Sequence, residues 1–273
     1  MLDYNWEDTC GVTSLGDELC VLRSVVNARV DVYSTSDFTL LHQFSLPGLS
    51  GGYDIKDFTS CESFSDPCLL IADSEGRCLH KIARHGNYWP VTRWPLSCKP
   101  CGVTAVRYGS EERVIVACCE EGRISNTGKL IELNNLGDVI REIVLKPMIT
   151  SLWSVRALET GEYLVSYRGF WCARGERVST VDNSGKVTQS YGDGWSSPER
   201  DLLRGGCHMA VDSDGFVFVA DTAKHRIVLL NPSLQFVRTI ATRLCPRWLH
   251  FDRKSRRLFV SQVDAGEVSV LQL

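Results

Sequence analysis

Between residues 206 and 240 the chain reads GCHMAVDSDGFVFVADTAKHRIVLLNPSLQFVRTI, four short apolar runs separated by turn-forming residues. Alternation of apolar and polar positions over a few residues predicts strands rather than helices. The expected strands are residues 209–211, 216–220, 226–230 and 235–240. Asp212-Ser213-Asp214-Gly215 supplies a hairpin turn, residues 221–225 a longer loop, and Asn231-Pro232-Ser233 a second turn. Four antiparallel strands in so short a stretch cannot bury both of their faces alone, so like neighbours must cover them.

The same meander recurs six times. Its anchors are Thr9-Cys10-Gly11-Val12, Gly52-Tyr53-Asp54-Ile55, Pro100-Cys101-Gly102-Val103, Leu152-Trp153-Ser154-Val155, Gly206-Cys207-His208-Met209 and Pro246-Arg247-Trp248-Leu249, each ending apolar. Successive anchors lie 43, 48, 52, 54 and 40 residues apart, the spacing of propeller blades. A small residue ends each second strand: Ser24, Ala72, Ala117, Ser166, Ala220 and Ser261. The third strands open with Arg29, Cys78, Lys129, Arg177, Arg226 and Glu267. The expected fold is all-β, a single six-bladed β-propeller over residues 1–273, with blades at about 7–48, 49–97, 98–147, 148–193, 203–243 and 244–273. The last repeat has no fourth strand, and residues 2–6 have no repeat of their own. The expectation is that this N-terminal strand closes the last blade and removes an open edge.

Composition narrows the setting. The hydrophobic fraction of 44% and charged fraction of 23% are those of an ordinary globular protein, and no apolar run nears the length of a membrane span. The start, MLDYNWEDTC, has neither a basic segment nor an apolar core, so no signal peptide is expected. A cytoplasmic location follows, with no membrane partner. The 12 cysteines are then expected as reduced thiols, several of them packed inside strands as small apolar groups. As an isolated domain the chain is expected to be a monomer.

Residues 207–230 resemble an NHL repeat, through Asp214, Gly215, Val219, Ala220, Asp221, Arg226 and Ile227. The second blade keeps Ile71-Ala72-Asp73, while the sixth has Gln262 where the pattern has Asp. As architecture the resemblance spans the chain, and it is similar to the C-terminal propellers of tripartite-motif NHL proteins. It implies a pairing of Asp221 with Arg226 inside the blade. It also implies ligand recognition on the top face, where loops lead into first strands and join second to third strands. Single-stranded RNA is the ligand of some propellers of this kind.

Catalysis finds little support. Of 12 anchor positions around the top of the channel, only Asp54 offers the hard oxygen ligand that a calcium-dependent lactonase-type propeller would need several of. Cys98-Lys99-Pro100-Cys101 lacks a second pair, and Cys10, Cys101 and Cys207 belong to alternate blades, so no metal and no cofactor are expected. Recognition is the expected role. The binding candidates are Tyr167, Arg168, Trp171 and Arg174, then Tyr191, Trp195, Arg200, Arg204 and His208, and finally Lys224, His225, Arg243, Arg247 and Trp248. Aromatic and arginine side chains dominate binding hot spots. The competing reading of Trp153 and Trp248 is that they plug the channel. Net charge is −3, although residues 195–260 hold 11 bases against 6 acids. A protein or peptide partner is expected first, single-stranded RNA second, and a propeller hydrolase or lactonase third.

Overall fold

A computed structural model of the chain describes residues 9–23, 28–46, 48–49, 55–85, 89–119, 128–146, 149–169, 176–192, 203–242, 245–262 and 266–273. Five four-stranded antiparallel meanders and one three-stranded meander stand in chain order. Their first strands are Thr9–Leu15, Ile55–Ser60, Lys99–Tyr108, Ile149–Ala157, Met209–Val211 and Pro246–Asp252. Each of these packs against its counterpart in the next blade, and the sixth packs against the first, so the ring closes as a six-bladed β-propeller. Residues 2–6, expected to complete the last blade, lie outside the described residues. No helix among the described residues is long and apolar enough to cross a membrane.

The core follows from the ring. Apolar residues of neighbouring sheets meet in five clusters, each wedged between adjacent blades. A second strand is therefore covered on both faces, and Cys68–Asp73 is buried at every position. Outer strands are covered less, and Val139–Val144 leaves most of its residues exposed. The expected column of small residues sits where two sheets crowd: Ala72, Ala117, Ser166, Ala220 and Ser261 are all fully buried. In the fifth blade the turn forms as its residues dictate, with Asp212 Oδ1 accepting from the amides of Asp214 (2.9 Å) and Phe216 (2.8 Å).

The thiols depart from expectation at one point. Cys98 and Cys118 form a disulfide with Cα atoms 6.0 Å apart, inside the usual range. Strand pairing explains it: Cys118 lies opposite Pro100, which brings its side chain to the segment carrying Cys98. The nine other described cysteines are free, and six of them are buried.

Candidate functional site: the axial channel and its two mouths

In every blade the first strand is a sheet edge turned toward the axis, so its inward amides and carbonyls need partners from elsewhere. Asp57, fully buried on the first strand of blade 2, supplies several. Its Oδ2 accepts from the Val103 amide and from Arg156 Nη1, both at 3.0 Å. Its Oδ1 accepts from the amide of Phe58 at 2.9 Å. Arg156 also donates to the carbonyls of Val103 (3.3 Å) and Val155 (2.6 Å). His208 faces the carbonyl of Lys56 through Nε2 at 3.1 Å, which fixes the proton on that nitrogen. Its Nδ1 lies 3.7 Å from Asp57 Oδ1, and its ring faces Trp248 at 5.4 Å. Burial pushes the His208 pKa down to about 4, against the opposing pull of Asp57, so the imidazole is neutral at pH 7.

Blades 2 to 6 thus meet at a waist of buried polar contacts around the axis. Gly102 permits the approach: a Cβ there would stand 2.9 Å from Ser154 Cα in the next blade.

Below the waist a cavity of about 510 Å³ opens toward the first-to-second-strand hairpins. All six first strands line it, with Ser14, Thr59, Ser60 and Thr104 presenting hydroxyls. His250 accepts or donates at 2.7 Å with Ser14 Oγ, and burial lowers its pKa to about 4. The carboxylates of the lining are Glu62 and Glu159, and both are engaged. Glu62 accepts from the Gly16 amide at 2.5 Å while burial pushes its carboxyl upward, and Glu159 pairs with Arg253 at 2.8 Å. Arg107 donates to the carbonyls of Ser63 and Gly109, each at 3.0 Å. The volume suits a small polar ligand. The anchor quartets did not reveal this cavity, because its residues lie at the far ends of the same strands.

The top mouth holds the described binding candidates other than Tyr167 and His208. Arg247 lies over the ring of Trp248, 4.2 Å from its centre, and Trp248 itself is only 3% exposed. Trp153 is exposed beside Gly206. Arg204 is exposed, its amide donating to Asp221 Oδ1 at 2.8 Å. Arg168 keeps an exposed side chain while contacting the buried Glu176 at 3.3 Å. Tyr191 and Lys224 are half-buried. His225 is exposed, with Cys245 Sγ 3.4 Å from Nδ1, a rim pair that sequence spacing gave no sign of. Tyr167 is buried and shares a hydrogen bond with Ser179 Oγ at 3.1 Å, and His208 belongs to the waist. Trp171, Arg174, Trp195, Arg200, Arg243 and the anchor Asp54 lie outside the described residues. Asp221 and Arg226 pair inside blade 5 at 2.7 Å, as the resemblance implied. Cys207 is buried, its Sγ 3.3 Å from Glu176 Oε2, and burial pushes its pKa well above the usual thiol value.

No protein-family model matches the chain, and no curated protein matches it. Solved structures do. Hydrazine synthase of Kuenenia stuttgartiensis is 11% identical, with a TM-score of 0.67 over 100% of this chain and 97% of that one. The β-propeller domain of Cps50 (Swd1) from Myceliophteria thermophila is 12% identical, with a TM-score of 0.63 over 97% of this chain and 83% of that one. Catalytically inactive virginiamycin B lyase from Staphylococcus aureus, with quinupristin, is also 12% identical, at a TM-score of 0.63 over 99% and 83%. Likeness at these identities establishes the propeller fold alone.

Proposed function

We propose that this chain is a non-catalytic, NHL-like recognition scaffold that binds a protein or peptide at its top mouth in a cytoplasmic setting. The observation that carries the reading is the commitment of the channel's ionisable groups. Asp57 and Arg156 are bonded to each other and to first-strand backbone, and His208 and His250 are held neutral. A catalytic channel needs an acid, base or nucleophile poised to react, and poised groups are absent from the described waist. The top mouth instead offers Arg247 on Trp248, exposed Trp153, Arg168 and Arg204 on a rigid ring.

Selection of a displayed random-peptide library on the full chain tests the proposal. Peptides with micromolar or better affinity are expected, and R204A/R247A should weaken them at least tenfold while the fold persists. Unchanged binding by the double variant would remove the interface from this mouth. A single-stranded RNA pool binding with a steep salt dependence, where peptides fail, would replace the peptide reading by an RNA one.

A further inference from the structure

At the top of blade 5, Asp221 ends the second strand directly opposite Arg226, which opens the third. Blade 2 has the same register with different chemistry: Asp73 stands opposite Cys78. His80 follows two residues later and so projects from the same face of its strand as Cys78. The three side chains converge. His80 Nε2 lies 3.1 Å from Asp73 Oδ2 and 3.4 Å from Cys78 Sγ, and all three potential ligand atoms fall within 4.8 Å of one another. All three residues are buried, at 1%, 0% and 5% exposure for Asp73, Cys78 and His80.

We propose that Asp73, Cys78 and His80 bind one zinc-class divalent cation, through carboxylate, thiolate and Nε2, with water in the fourth position. Tetrahedral zinc ligands 2.0–2.3 Å from the metal stand about 3.3–3.6 Å from each other. The observed 3.1 and 3.4 Å separations from His80 need adjustments of only a few tenths of an ångström, and the carboxylate–sulfur pair, within 4.8 Å, closes onto the metal. One imidazole nitrogen facing both sulfur and carboxylate is the arrangement a shared metal requires. Thiolate and imidazole select zinc over magnesium or calcium, and one thiolate with one carboxylate neutralise its charge.

The carboxylate is held ready. Asp73 Oδ1 accepts from the Gly76 amide at 2.8 Å, and a Cβ at Gly76 would stand 2.4 Å from Asp73 Oδ2. Arg93 is a neighbour that must yield: it hydrogen-bonds the Cys78 thiol as well as the Gly76 carbonyl at 2.6 Å. Binding releases the thiol proton to solvent, moves the imidazole proton of His80 from Nε2 to Nδ1 so that Nε2 can ligate, and turns the arginine from the sulfur while leaving its carbonyl bond in place. The earlier expectation of no metal rested on Cys and His spacing along the chain. This set depends on a carboxylate delivered by strand register.

Cobalt(II) is the probe. The full chain, stripped with chelator under mild reduction and desalted, is titrated with Co²⁺ and followed by equilibrium dialysis and absorption. The expected result is one Co²⁺ per chain, a thiolate-to-metal charge-transfer band in the near ultraviolet, four-coordinate d–d bands, and displacement by one equivalent of Zn²⁺. Cys78→Ser should abolish the charge-transfer band, and His80→Gln should weaken binding at least tenfold. Cys61→Ser, a buried thiol elsewhere in blade 2, should leave both unchanged. Should Cys78→Ser fail to fold, His80→Gln and Cys61→Ser carry the test. A stoichiometry near zero, or a charge-transfer band lost in Cys61→Ser but kept in Cys78→Ser, overturns the proposal.

Discussion

The waist and the top mouth of the channel lie a few residues apart on the same strands, yet they use charge in opposite ways. At the waist Asp57 is fully buried, and its oxygens serve backbone amides and one guanidinium. At the mouth Arg247 lies over an indole with part of its side chain toward solvent, and Arg204 is exposed. The difference is one of solvent access. A first-strand edge buried at the waist is shielded from water, so polar side chains there complete its hydrogen bonds and become part of the sheet. At the open end water serves the backbone, and side chains can extend into solvent. Ionisable residues on the axis are therefore structural at one depth and open to solvent at another.

The largest effect should come from breaking the waist. Asp57→Ala leaves the Arg156 guanidinium and the amides of Phe58 and Val103 without their acceptor. Removing one partner of a buried ion pair costs about 3–5 kcal/mol. In a domain of this size that is a fall in Tm on the order of 10 °C. Asp57→Asn, which keeps an acceptor, should lose less. A melting temperature for Asp57→Ala within a degree or two of the parent would show that the waist does not hold the ring.

The extent to which the sequence disclosed all this follows the same depth. Apolar columns with period two repeat along the chain, and the fifth blade adds the turn Asp212–Gly215, so the propeller and that blade's strands were legible. Arg226–Leu230 and Met209–Val211 form as expected. The pair Asp221–Arg226 was legible through the resemblance to an NHL repeat, which implied it. Asp57 and Arg156 were not, since they are 99 residues apart and lie below the anchor positions that the repeats bring into view. Their meeting depends on how far each first strand runs down the axis. Cys98 and Cys118 escaped for a related reason: their approach depends on the register of a hairpin, and a CxxC spacing carries no information about it.

A middling effect should appear with pH. The imidazoles of His208 and His250 are held neutral down to about pH 4, both mainly by burial. In the unfolded chain histidine takes up its proton near 6.5. Between these values the unfolded state binds more protons than the folded one, so stability is complete above about pH 6.5 and is lost as pH falls toward 4. Shifts of this size correspond to roughly 3 kcal/mol each as an upper figure. Urea melts at pH 7.5 and 5.0 should show the loss, and His208→Gln, whose amide can still donate to Lys56, should reduce its slope. A slope identical in parent and variant would mean that His208 reaches water, and the contrast between a dry waist and a wet mouth would fail.

The smallest effect on stability should belong to the mouth, and there it sharpens the comparison. Arg247→Ala removes one cation–π contact with Trp248 at a partly exposed site. Such contacts contribute about 0.5–1 kcal/mol. The Tm should therefore fall by no more than about 2–4 °C, the shift that 1 kcal/mol produces in a domain of this size. Peptide affinity, by contrast, should fall at least tenfold if Arg247 is one of the few residues that dominate the interface. Arg247→Lys separates charge from shape: a lysine keeps the positive charge but loses the planar fork and the stacking surface. If affinity returns with lysine, the ligand reads charge at this mouth, and the interaction should weaken with salt. If it stays low, the ligand packs on the stacked guanidinium and indole together. A variant that loses as much stability as Asp57→Ala would instead place Arg247 with the waist, because only a group sealed from water could matter so much to the fold.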